Sequence, residues 1–322
     1  MQRPPYLVKE ELVIEINVIG YKTEGESSVV FIKYDSGIAF SIVVDCFCYQ
    51  NKNKTIEILR NNVKSIDYLC WSHPDYDHSQ GMCDIFTEFV NEKTIVNIPE
   101  NVDNAYEICS NKVKNLFDTL KKESCKRKSN IYTVSDNKDL LFYTDDICFK
   151  YDNYDFCLEM KSFAPNSSLI REKSLYGDFN KNDLSIGFTM SLGEDVLMFT
   201  GDMGNTTIAE LIKLPSQPCF LKIPHHGSKT SSKMLDVLDS VNVACSTVYR
   251  KGKNNLPSHN VINLYKKKTN NLYITSSDTN NPNGYGVINI SIDVLNDSFQ
   301  TKLDGDAISI NCSKQKEKRN GT

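Results

Sequence analysis

No apolar run in this 322-residue chain approaches the about 18 residues a membrane-spanning helix needs, so a helical span is not expected. The opening residues, Met1-Gln2-Arg3-Pro4-Pro5, lack a signal peptide's apolar core, and the expected location is the cytoplasm. Basic charge is not in excess. Lys and Arg number 37 against 41 Asp and Glu, a net charge of −4, so no overall polycationic surface for nucleic acid exists. A polyanion would have to be held by a local patch or by metal ions. The 11 cysteines include no CxxC pair. Several, such as Cys70, Cys219 and Cys245, lie inside strand-like runs, which reads as buried free thiols in a reducing compartment and not as a disulfide framework. Cys46 and Cys48 share a strand face but have no further Cys or His beside them. No internal repeat is visible. Histidine is scarce as well, five residues in all, so where it falls is informative.

Four of the five fall in two short segments. The first is Trp71-Ser72-His73-Pro74-Asp75-Tyr76-Asp77-His78-Ser79-Gln80-Gly81, directly after the apolar run Ile66, Tyr68, Leu69, Cys70, Trp71. That run reads as a buried strand, which places two imidazoles and two carboxylates on the loop at its carboxyl end. Converging there, they would repel and desolvate one another unless a cation joined them, and a pair of divalent metals is the expected occupant. The second segment, Leu221-Lys222-Ile223-Pro224-His225-His226-Gly227-Ser228-Lys229-Thr230-Ser231, ends another apolar run. One of His225 and His226 should complete a metal shell; the other could contact substrate or protonate a leaving group, and the sequence does not assign which. Ser228 and Lys229 are candidate substrate-binding residues, since a hydroxyl and a cation suit a phosphate oxygen. Arg250, Lys251 and Lys253 form a further basic loop that could guide a phosphodiester.

Alternation of apolar and polar residues predicts strands over Leu12–Ile19, Val29–Tyr34 and Ile38–Cys46, the last two joined by the turn Asp35-Ser36-Gly37. Helical spacing is expected over Thr55–Val63, Gly81–Val90 and Val102–Lys121, with a strand at Thr94–Ile98. Lys121–Asp139 is lysine-rich and patternless, an expected surface excursion. Strands follow at Leu158–Phe163, Ser185–Ser191 and Val196–Phe199, the last two a hairpin that should bring Asp202 near Asn182 and Asp183. Beyond them helices (206–213, 231–238, 259–267) alternate with strands (218–223, 241–248, 272–276, 285–292). Mostly antiparallel strands with helices in each half suggest an α+β fold of two αβ layers packed sheet to sheet. A single domain over 1–312 is expected, with a charged, disordered tail at 313–322.

His73-Pro74-Asp75-Tyr76-Asp77-His78 resembles the H-x-[HD]-x-D-H signature of the metallo-β-lactamase superfamily, and Thr200-Gly201-Asp202 resembles its later strand-end aspartate. Pro224-His225-His226-Gly227-Ser228-Lys229-Thr230-Ser231 is similar to one branch, the soluble nuclease-like domain of ComEC-like DNA-uptake proteins. The chain departs from that branch after its first strand, where Gly-x-Gly-Asp is usual and Ile19-Gly20 is followed here by Tyr21 to Glu26 and Ser27-Ser28. The resemblance implies a four-layer αβ/βα sandwich of two mixed sheets, with His73 and Asp75 on one metal, Asp77 and His78 on the other, and Asp202 bridging. It implies catalytic roles for Asp77, His226 and His259, the last of which could equally follow Ser258 as a helix cap. Asp45 is implied as an orienter of the His-Asp loop. Asp75 stands where many members have histidine, and Asn182 or Asp183 stands where another is usual. So oxygen-rich a set favours Mn²⁺, with Zn²⁺ as the alternative. The implied activity is a metal-dependent phosphodiesterase or nuclease acting on DNA. The rivals are a hydrolase of a small ester, lactone or cyclic nucleotide, and a metal-stabilised binding partner without turnover.

Overall fold

Period-two burial organises the amino-terminal strands. In the computed structural model, which describes residues 4–310 except 36, 128–129, 142–146, 212–213 and 278–281 (backbone alone for 123–127), alternate residues of each early strand face different cores. The tail expected at 313–322 lies outside the described residues. The chain runs β1 (Tyr6–Leu7), β2 (Leu12–Tyr21), β3 (Glu26–Tyr34), β4 (Gly37–Val44), α1 (Lys54–Asn62), β5 (Tyr68–Cys70), α2 (Tyr76–Ser79), α3 (Met82–Glu88) and β6 (Ile95–Pro99). It continues with α4 (Asn111–Arg127), β7 (Ile131–Val134), β8 (Cys148–Tyr151), β9 (Tyr154–Ala164), α5 (Ser167–Tyr176), β10 (Gly187–Leu192), β11 (Asp195–Phe199) and α6 (Asn205–Ala209). The last part is β12 (Phe220–Lys222), α7 (Met234–Val237), β13 (Val243–Ser246), α8 (His259–Tyr265), β14 (Asn271–Ile274), β15 (Tyr285–Asp293), β16 (Ser298–Gly305) and β17 (Ile308–Ser309).

Two sheets result, in the orders β16-β15-β2-β3-β4-β5-β6-β7 and β1-β8-β9-β10-β11-β12-β13-β14-β17. Leu12, Ile14, Ile16, Ile42 and Tyr68 of the first meet Phe188, Met190, Leu197, Phe199 and Phe220 of the second in one core. The intervening residues, such as Val29, Phe31, Val43 and Leu69, turn the other way and pack under Ile56 and Leu59 of α1, Ile85 and Phe86 of α3, and Leu116 of α4. On the far side, Met198, Leu221 and Ala244 pack under Met234 of α7 and Val261 and Ile262 of α8. Three cores between four layers make the αβ/βα sandwich expected from the sequence. Antiparallel pairings are in the majority, as expected, but β4 to β7 and β11 to β14 form parallel runs.

Other departures are local. The helix expected over Val102–Lys121 breaks where Cys109 takes an extended conformation (ψ 153°) after a 3₁₀ turn, Val102–Ile108. Cys109 is buried, with its thiol donating to Pro74 O (3.3 Å), so contact with the His-Asp loop overrides helix continuity there. The expected excursion at Lys121–Asp139 contains the end of α4 and a strand, β7, parallel to β6. Cys148 and Cys157, at facing positions of β8 and β9, are joined by a disulfide, which corrects the expectation of free thiols throughout; Cys46, Cys70, Cys109 and Cys245 are free and buried. No helix among the described residues is long and apolar enough to cross a membrane.

Asp195, heading β11, gives the fold a measurable pH dependence. Burial, and then the neighbouring Asp297 carboxylate, push its acid up to about 6. The folded chain therefore holds this proton more tightly than the unfolded chain does, and Asp195 costs stability as pH rises through about 6. Asp195→Asn is expected to raise the melting temperature at neutral pH, with the gain closing below about pH 4. Equal melting temperatures at neutral pH would contradict this.

Candidate metal centre

Parallel strands end at a common edge, and β4, β5, β11, β12 and β13 all deliver their following residues to the same seam between the sheets. Asp45 follows β4, Ser72 to His78 follow β5, Asp202 follows β11, His225 and His226 follow β12, and Thr247 follows β13. β3 runs antiparallel to β4, so its first residue, Glu26, arrives at this edge too. The β12 loop makes an unusual turn: His225, His226 and Gly227 are left-handed in succession (φ 48°, 50° and 73°). Only the glycine adopts this without strain, so two histidines are held in a costly conformation at the centre. A Cβ on Gly227 would lie 2.8 Å from Pro257 Cβ, so the approach of that loop requires glycine.

Asp77, His78, Asp202 and His226 are buried together. His78 Nε2 lies 3.5 Å from Asp202 Oδ1 and 3.6 Å from Asp77 Oδ2; His226 Nε2 lies 3.0 Å from Asp77 Oδ2 and 3.5 Å from Asp202 Oδ2. His78 Nε2 and Asp202 Oδ1 have no hydrogen-bond partner among the described residues. Burial disfavours every charge here, yet the carboxylates of Asp202, Asp77, Glu26 and Asp45 raise His78 well above the ordinary histidine range. Against the same burial, His226, His78 and His225 hold Asp202 well below the usual carboxylate range. Orphaned nitrogen and oxygen donors converging on one point fit a divalent cation, which would replace the protons that balance the cluster.

An outer set adjoins this one. His73 Nε2 faces Asp75 Oδ2 (3.6 Å) and Asp202 Oδ2 (4.0 Å), and His225 Nε2 lies 4.0 Å from Asp202 Oδ2. Asp75 is ion-paired with Lys181. Asn182 Nδ2 donates to His225 Nε2 (3.4 Å), but Asp183 turns away to accept from Lys173 Nζ (2.6 Å). The hairpin thus brings Asn182 and not Asp183 toward the centre.

Behind the imidazoles lies a second layer. Asp45 accepts from Ser72 N (2.7 Å) and faces His78 Nδ1 (2.7 Å), fixing loop and ring together. Glu26 faces His226 Nδ1 (3.2 Å) and His78 Nδ1 (3.8 Å), on the side of each ring away from Asp202. It accepts from Lys222 Nζ (2.7 Å) and from Thr247 Oγ1, both at Oε2, so that oxygen is already engaged and the carboxylate orients the rings from behind. Burial opposes its charge, but Lys222 and then the histidines hold its acid down to about 2. Sequence reading missed Glu26, Lys222 and Lys181. The available signals were a carboxylate opening an apolar strand and a single lysine inside the apolar run Phe220–Ile223.

Of the remaining candidates, Ser228 lines the cavity of about 520 Å³ over the centre, together with Tyr76, Thr230, Tyr249 and Lys251. Lys229 is exposed and does not line it. His259 is exposed at the start of α8, also outside the cavity lining; Ser258 precedes it as the cap, with its N–H donating to Gly227 O (3.1 Å). Arg250 donates to Ser276 O (3.1 Å), and Lys251 pairs with Glu24 (2.7 Å).

No family model and no protein of curated function matches this sequence. Among solved structures, the chain is similar to a protein from Parabacteroides distasonis assigned as a metal-dependent hydrolase (12% identity, TM-score 0.41, covering 79% of this chain and 96% of that one). It is similar to the short form of human tRNase Z (9% identity, TM-score 0.38, covering 80% and 90%). A third is the Zn²⁺-bound PqqB of Methylobacterium extorquens (9% identity, TM-score 0.36, covering 72% and 73%).

The Glu26–Lys222 pair supplies a test of the second layer. Glu26→Gln leaves the Lys222 ammonium buried without its counter-charge, a loss expected to cost about 3–5 kcal/mol in urea denaturation. Replacing both by methionine should recover most of that stability while metal affinity stays about 10–100-fold weakened, because the rings lose their orientation. Full stability in the single variant would refute the pairing.

Proposed function

We propose that the chain is a metal-dependent hydrolase of phosphodiesters, with DNA as its substrate class. The observation that carries the hydrolase reading is the convergence of carboxylates and imidazoles from both sheets on Asp202, under an open cavity. Asp77, His78, Asp202 and His226 would hold a divalent cation, which when bound would supply Lewis acidity toward the bond to be cleaved and toward water. The carboxylates of Asp77 and Asp202 are hard donors and favour Mn²⁺, with Zn²⁺ as the alternative. In this reading Asp77 and His226 serve as ligands. His225 lines the cavity with His226 but is the less buried of the two: burial lowers its pKa, and Thr230 Oγ1 lies 3.1 Å from Nδ1, so a neutral ring beside Asp202 would serve in proton transfer once substrate displaces the Asn182 amide from Nε2. The sequence reading left that proton role open between His225 and His226. The pair of ions expected from sequence requires the outer set, His73 and Asp75, to bind as well.

The phosphodiester reading rests on the rim. The ammonium groups of Lys112 and Lys251 each lie 5.1 Å from the centroid of the Tyr76 ring, and the hydroxyls of Ser228 and Thr230 lie across the cavity. The second reading, a small ester, lactone or cyclic nucleotide, draws on the pairing of Lys251 with Glu24, which reduces the net charge available to a polyanion.

Chelator-stripped protein is expected to be inactive and to recover best with Mn²⁺ on bis-p-nitrophenyl phosphate and single- or double-stranded DNA. Hydrolysis of lactones alone would favour the second reading, and superior recovery with Zn²⁺ would overturn the metal preference. Neutralising Lys112 and Lys251 together should weaken binding of a short oligonucleotide and flatten its salt dependence by roughly one counterion per lost contact. Unchanged slopes would leave the DNA reading without a binding surface.

A further inference from the structure

The outer set differs from the inner one in what already neutralises it. Asp75 Oδ1 accepts from the Lys181 ammonium, and the pair is three-quarters buried (side chains 25% exposed). Lys181 is not a wandering surface lysine. It is the first residue of a 3₁₀ turn, Lys181–Leu184, closed at its start by a reciprocal capping box: Asn180 Oδ1 accepts from Asn182 N (3.0 Å), and Asp183 Oδ2 accepts from Asn180 N (3.0 Å). The other Asp183 oxygen is held by Lys173, and the backbone beyond the turn is tied to the His-Asp loop by Ile186 N–H donating to Ser72 O (2.9 Å). The segment that could have supplied a further anionic or imidazole donor supplies an ammonium instead. Asn182, the next side chain, spends its amide on His225 Nε2 (3.4 Å).

We infer that Lys181 serves as a built-in cation in the outer position, so that the chain holds one divalent ion, at Asp77, His78, Asp202 and His226, and not a pair. This rests on the metal reading of the centre. A dication entering the outer set would meet a fixed ammonium at the carboxylate it needs, while His73 and His225 contribute no negative charge to offset it. The inner set has no such competitor. Its carboxylates, Asp77 and Asp202, face imidazoles and no ammonium. The arrangement places positive charge on both sides of Asp202 with a single exchangeable ion.

Titrating chelator-stripped wild-type protein with Mn²⁺, and counting bound ions after desalting, is expected to give one ion per chain with the electron paramagnetic resonance of an isolated Mn²⁺. Lys181→His, which exchanges the ammonium for a donor, should raise the count to two and give the spectrum of a coupled pair. Lys181→Arg, which keeps the charge, should stay at one. Two ions in the wild type would overturn the inference, as would a count of one in Lys181→His with Asp75 intact and the fold unchanged by circular dichroism. If Lys181→His fails to fold, Lys181→Ala replaces it, with the same count of two expected. Failure of the wild type to bind any ion would instead remove the metal reading on which the inference stands.

Discussion

Asp202 keeps a carboxylate in the seam between two sheets, with Oδ1 lacking any hydrogen bond among the described residues, and a buried charge of that kind persists only where positive charge meets it. The surrounding structure serves that condition. Parallel strand runs in both sheets end at one edge, so five loops can be aimed at a point no single element could surround. The β12 loop accepts two left-handed histidines in succession to bring His226 Nε2 within 3.5 Å of Asp202. Behind the rings, Asp45 holds His78 Nδ1, and Thr247, backed by Glu26, holds His226 Nδ1, which turns both Nε2 atoms inward.

Charge balance divides the centre into unequal halves. The inner half joins carboxylates to imidazoles with no ammonium among them, while orphaned ring nitrogens stand in both halves, His78 Nε2 in the inner and His73 Nε2 in the outer. The outer half carries its own ammonium. A third charge pair, Glu26 with Lys222, lies beneath both and is isolated from water. Its position explains why a lysine can stand in an otherwise apolar strand: the ammonium is matched by a carboxylate from the other sheet, and the pair ties the two sheets together where the imidazoles must be held still.

Much of this was legible in the sequence because the relevant signals were local. Period-two alternation in Leu12–Ile19 marked β2, and the apolar run before His73 placed the His-Asp loop at a strand end, where it lies. Local signals also misled. The lysine-rich stretch after α4 hides β7, an edge strand whose residues are mostly half-exposed or exposed and so lack a clean pattern. Val102–Lys121 has continuous helical spacing, and only the tertiary contact of Cys109 with Pro74 breaks it. The disulfide between Cys148 and Cys157 depends on strand register, which cysteine spacing alone does not reveal. Within the site, residues adjacent in sequence were readable and residues brought from afar were not. Glu26 and Lys222 are 196 positions apart, and Lys181 reaches Asp75 across 106. His259 illustrates the converse: it follows a loop that packs on the His225–Gly227 turn, yet its side chain is exposed on the first turn of α8.

The chemistry proposed for this centre depends on a divalent cation bound at Asp77, His78, Asp202 and His226. Anomalous diffraction from a crystal of the protein equilibrated with Mn²⁺ tests it most directly. The predicted result is a peak enclosed by Asp77, His78, Asp202 and His226, with Glu26 outside its coordination shell. A peak bound elsewhere, or a well-ordered centre with no anomalous density at saturating Mn²⁺, would contradict it.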